Sequence, residues 1–163
     1  MVNESGLDAM ISVFIRYSEL SAVKYDVKSD TIQIETALND NINEEKRCKF
    51  IARCRQSMDL FYRMTRVEPV QFALKFIENS GITILRLYRD SKTLREQEME
   101  LFVQLLRQEF ASLLIRDDND IAALANQSID VKATLLKKIK QSHDSYHSIF
   151  AYRDEGRVFV FNK

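Results

Sequence analysis

His143 and His147 stand four residues apart in HDSYH, a spacing that puts two imidazoles on one helical face and invites a zinc reading. A catalytic zinc takes three protein ligands, and no glutamate completes an H-E-x-x-H arrangement here. The pair therefore reads as surface histidines near a helix end, where their partial positive charge is favourable. Asp117, Asp118, Asn119 and Asp120 could gather a cation, but the run lacks the glycine and closing glutamate of a calcium loop, so helix termination and capping explain it better. Cys48 and Cys54 are six residues apart, which on a helix turns them about 240° from each other. They neither bridge nor share a metal, and free thiols suit a reducing compartment. The chain has no G-x-S-x-G, no phosphate-binding glycine loop, no dinucleotide fingerprint and no zinc cysteine pair. Sequence motifs thus assign no catalytic residue, no metal and no cofactor, and the reading leans away from an enzyme.

The densest chemistry is the segment NEEKRCKFIARCRQSMDLFYRMTR, residues 43–66, which holds seven of the twenty-four Lys and Arg against three acidic residues. On a helical wheel Phe50, Ile51, Cys54, Met58 and Phe61 form one apolar arc. Lys46, Lys49, Arg53 and Arg63 gather on the far side and are the candidate nucleic-acid contacts, with Lys137, Lys138 and Lys140 as possible additions. A solvated amphipathic helix makes the same pattern unaided, and no exposed aromatic or glycine-rich approach to phosphate accompanies it.

The helix needs a scaffold, and composition supplies one. Apolar residues make up 45% of 163 residues and charged residues 29%, with one proline and three glycines, which is a chain that buries a core throughout. Basic and acidic residues balance at twenty-four each, so no global field draws the protein to nucleic acid or to an anionic membrane. No run of eighteen apolar residues and no targeting segment is evident, which gives the expectation of a cytoplasmic protein without membrane contact.

Periodicity supplies the elements. Residues 5–20 fit both helix and strand and are read as helix through Leu7, Met10, Ile11, Phe14 and Tyr17. Val23, Tyr25 and Val27 alternate, then Ile32 and Ile34, as a hairpin does, before the long basic helix runs to Arg66 ahead of Pro69. A second hairpin covers Val70 to Tyr88, turning at 78–81, where Gly81 tolerates positive φ. Thr93 and Glu96 suggest a capping box for a helix reaching Ile115, Ser128 opens a further helix to about His143, and residues 148–163 close the chain as a hairpin turning at 154–156.

The expected architecture is one α+β domain over residues 1–163, with a largely antiparallel sheet of β-hairpins covered by three to four helices. Two hairpin-plus-long-helix units precede the C-terminal hairpin. In that last hairpin Phe150, Tyr152, Val158 and Val160 are expected on one face and Phe159 and Phe161 on the other. A strand apolar on both faces needs a second cover. The functional expectation is a non-catalytic interaction or regulatory module, homodimeric, binding a partner through the C-terminal hairpin or the flanks of the long helices, where Met64 and Tyr62 stand, with Phe159, Phe161 and Tyr62 as the candidate contacts. The alternative is nucleic-acid binding by the basic helix.

Overall fold

The computed structural model of the chain describes residues 12–115, 148–154 and 157–162. A short helix α1 at residues 12–16 leads into β1 (Ala22–Asp26), β2 (Thr31–Leu38), α2 (Glu44–Thr65), β3 (Phe72–Asn79), β4 (Ile82–Asp90), α3 (Glu96–Phe110), β5 (Ser148–Asp154) and β6 (Arg157–Asn162). The strands form one sheet in the order β3-β4-β2-β1-β5-β6, with every neighbouring pair antiparallel. The fold class is α+β, and the helical reading of the opening residues holds at 12–16. The expected helix at 128–143, the histidines, the acidic run at 117–120 and Lys137, Lys138 and Lys140 lie outside the described residues.

Strict alternation decides which face of the sheet is buried. In β2 Ile32, Ile34, Thr36 and Leu38 point inward, and the register places Ile34 opposite Val23 and Leu87, with Leu87 in turn opposite Leu74. Onto that face α2 lays Phe50, Cys54, Met58 and Tyr62, each one turn after the last, while α3 adds Met99, Phe102, Leu106 and Phe110. The rings of Phe50 and Phe110 meet at 5.0 Å, with Phe76 of β3 edge-on to Phe50 at 6.2 Å. At the centre of the sheet, where β2 meets β4, the opposite face carries polar side chains. There Glu35 accepts from Arg86 Nε at 2.8 Å and from Gln33 Nε2 at 2.9 Å, and the Lys75 ammonium sits 5.3 Å from the centre of the Tyr88 ring.

The local signals explain the boundaries. Asn43 caps α2 by accepting from Lys46 N at 2.8 Å, and Arg66 ends the helix in the left-handed region at φ 57°. The β3–β4 turn takes positive φ at both Ser80 and Gly81, the geometry a two-residue hairpin loop requires. The expected Thr93–Glu96 capping box does not form. The Thr93 hydroxyl is taken by Asp90, at 2.8 and 2.9 Å, and α3 starts after Arg95 with no side-chain cap. Nor does α3 reach Ile115. It stops at Phe110, and residues 113–115 turn back to the end of β2, where Asn39 N donates to Leu113 O at 2.7 Å and Ile115 N to Ala37 O at 3.0 Å.

The closing hairpin forms, with a corrected register. Pairing continues to Asp154↔Arg157, so Asp154 belongs to the strand and not to the turn. That one-residue difference moves every pair. Tyr152 stands opposite Phe159, and Phe150 opposite Phe161, where a three-residue turn would have matched Tyr152 with Val158. All four aromatic positions therefore share the face that carries Ala22 and Lys24, while Val160 lines up through Ala151 with Val23 on the helix-covered side.

Candidate functional site

Three places hold enough chemistry to consider, and they lie on or beside α2 and α3. The first is a buried polar knot at the end of β4. Position 89 continues the inward parity of Thr83, Leu85 and Leu87, so the arginine there enters the core with no exposed surface. Its guanidinium donates through Nε and Nη2 to the two oxygens of Glu98, at 2.6 and 2.8 Å, and through Nη1 to Gln71 O and Thr93 Oγ1 at 3.0 Å. Asp90 completes the knot. It accepts from the Val70 and Gln71 amides at 3.0 Å, and although burial works against its charge, the Gln71 amide, the Thr93 hydroxyl and amide, and Arg89 hold its carboxyl below the usual range. Burial likewise opposes the charge on Arg89, and Glu98 outweighs it, keeping the guanidinium above its ordinary value.

Tyr62 roofs the knot. Its ring centre lies 5.6 Å from the Arg89 guanidinium carbon, and its hydroxyl is buried with no hydrogen-bond partner among the described residues. Burial, then Glu98, push the phenol pKa up, with Arg89 opposing. The expectation of Tyr62 on an open flank for partner binding is thus corrected: it is 8% exposed, because the ridge Phe50–Cys54–Met58 carries on to it. The knot binds together β3, β4, α2 and α3, and every donor of Arg89 that bonds is spent inside the chain. Glu98 has no surface to offer a substrate. Its chemistry is structural.

The second place is an open cleft of about 920 Å³ between the last turns of α2 and the segment leading to β3, walled by Asp59, Arg63, Arg66, Glu68 and Pro69 over Tyr62 and Val67. Two cations face two carboxylates there, which gives it no net preference for an anion or a cation. Among the described residues no group of three His, Cys, Asp or Glu side chains could hold a metal ion, and Cys54 is an inert thiol, pushed up to about 12 by burial and by Glu98.

The third place is the outward ridge of α2. Lys46, Lys49, Arg53 and Arg63 are all exposed there, as their helical positions predict. They are not equivalent. Arg53 reaches across to α3, with Nη1 3.4 Å from Glu109 Oε2 and Nη2 3.3 Å from Gln108 Oε1. Of the other cations, Arg47 is tied inward, donating to Ile42 O at 2.7 Å and pairing with Glu78. Between the cations stand two apolar side chains: Leu60 is 59% exposed and Met64, expected on the helix flank, 77%. Val70, just past the foot of the helix, is 76% exposed. The cue for Leu60 and Met64 is present in the sequence, since both fall on the arc of the lysines and not on that of Phe50.

Phe159 and Phe161, the other expected partner contacts, are placed here by strand pairing alone, opposite Tyr152 and Phe150. The four expected nucleic-acid residues share one side of α2, but the ridge ends in apolar side chains and one of its cations is engaged within the chain. Among the described residues no helix is long and apolar enough to cross a membrane. Comparison of the chain with models of known protein families, with curated proteins and with solved structures finds no match.

Proposed function

We propose that the chain is a non-catalytic protein-interaction module whose docking surface is the outward ridge of α2. One observation supports the reading above others: Leu60 and Met64, one helical turn apart, stand largely exposed at the end of a ridge whose first half is cationic. Burying either side chain is worth roughly 1.5–3 kcal/mol, which the described chain forgoes and a partner recovers. Lys46, Lys49 and Arg53 bring long apolar stems to the same surface and keep it soluble when empty.

The competing reading, nucleic-acid binding, rests on Lys46, Lys49 and Arg63. Phosphate contact by those three gains nothing from Leu60 and Met64, and stacking needs aromatic rings that this ridge lacks. The test is site-specific photo-crosslinking. A photoreactive amino acid at position 60 is expected to give discrete protein adducts in cell extract, and one at position 75, an exposed lysine on the outward side of β3 opposite Arg86, to give none. Nucleic-acid adducts at 60, or none of any kind, would overturn the proposal.

A further inference from the structure

We infer that the occupant of the α2 ridge is a second copy of this chain, with the two α2 helices packed antiparallel about a two-fold axis near Cys54 and Arg55. The inference rests on the docking reading above and names the partner. At 100° per residue Lys49, Arg53, Gln56 and Leu60 fall within about 60° of one another and form the centre of the ridge. Lys46 and Met64 edge one side, and Glu45 and Arg63 edge the other.

Direction follows from charge. The ridge is cationic in its first half and apolar in its second. Parallel helices would set Lys46, Lys49 and Arg53 against their own copies. Antiparallel helices place the stems of Lys46 and Lys49 on Met64 and Leu60 of the second copy, and each border meets the same border running the other way. On the second border that brings Glu45 level with Arg63 of the second copy, twice over by symmetry. Both residues are exposed, and neither has an ion-pair partner among the described residues. One cation, Arg53, falls close enough to the axis to meet its own copy, and it is the one that Glu109 already holds at 3.4 Å.

The 22-residue helix α2 is about 33 Å long, so the paired ridges bury an area at the lower end of specific interfaces, on the order of 1,000 Å². An interface of that size belongs with the weaker, transient associations.

Light scattering across a micromolar concentration series tests this. The full chain is expected to rise from the monomer mass towards twice that value. Leu60→Ser with Met64→Ser should hold it at the monomer, with an unchanged circular dichroism spectrum. Glu45→Arg and Arg63→Glu should each weaken association about tenfold, and the two together should restore it. A wild-type chain that stays monomeric throughout overturns the second-copy inference and leaves the docking reading to the crosslinking result. A dimer indifferent to the double serine variant overturns both. Loss in each single reversal without recovery in the double overturns the antiparallel arrangement.

Discussion

The two long helices follow hairpins in the same way, yet they are embedded to different degrees. The 22-residue α2 buries four side chains in a single file, whereas the 15-residue α3 buries seven, among them a glutamate. The cause is position. Besides packing on the sheet, α3 is gripped on its outer side: Arg16 pairs with Glu96 and Glu100, Arg107 with Glu19, and Arg53 of α2 with Glu109. Among the described residues no comparable belt covers the outer side of α2. One hairpin-and-helix unit has become the centre of the core, and among the described residues its counterpart keeps an exposed outer ridge.

The sharpest way to break that contrast is Glu98→Ala. It strands Arg89 without its bidentate partner inside the core, and about 3–5 kcal/mol of unfolding free energy should disappear in urea titration. Asp59→Ala, an acidic residue on the exposed side of α2, should stay within about 0.5 kcal/mol. Equal costs would mean that the two helices are equally embedded.

Next comes alkaline pH, which reads the seam between them. Burial, with Glu98 adding to it, pushes Cys54 from 9.0 to about 12, and burial together with Asp30 pushes Tyr25 from 10.0 to about 12. Each group binds its proton more tightly when folded. Its contribution is therefore complete below the unfolded value and is lost as pH climbs towards the folded one. The melting temperature should begin to fall near pH 9, and Cys54→Ala should delay that onset towards pH 10, where Tyr25 takes over. An onset unchanged by the substitution would show that the thiol is not buried at the seam.

Smaller still is the cap. Asn43→Ala should cost about 1 kcal/mol in the same urea titration, whereas Arg95→Ala at the uncapped start of α3 should cost almost nothing. Smallest is the ridge itself, where Leu60→Ser and Met64→Ser should together shift the unfolding free energy of the monomer by about 0.5 kcal/mol or less. A larger loss would place both residues in the core and remove the ridge as a docking surface.

Much of the fold was legible in the residues, and the misses share a form. Alternation located four strands from Val23 to Tyr88, and 3.6-residue periodicity located α2 and most of α3, because each pattern repeats over many residues and survives a local error. What failed hung on single residues. Thr93 had the spacing of a capping box, but Asp90 offered its hydroxyl a better partner. One residue more or less in the last turn flips every pair of the closing hairpin, and nothing in FAYRDEGRVFVF fixes that count. On the ridge, four of the seven cations drew attention to one side of α2; the wheel places Leu60 and Met64 on that same side, but only the burial pattern shows how far they are exposed. Arg89 went unnoticed for the opposite reason: its parity along β4 marks it as inward, yet an arginine is rarely assigned to a core.

The strand order also sets a timetable. β3 and β4 join as a hairpin through an eight-residue pairing and β4 meets β2 across roughly 50 intervening residues, while β1, only five residues long, must hold β5 across roughly 125. Closing so long a loop is slow, so β1 and β5 are expected to meet last during folding, after the hairpins and α2 have formed. Pulse-labelled amide exchange should protect β2 and β4 before β5. In that interval the outer edge of β1 stands open with Val23 and Tyr25 alongside it, and this is when a crowded chain is most exposed to pairing with the wrong neighbour.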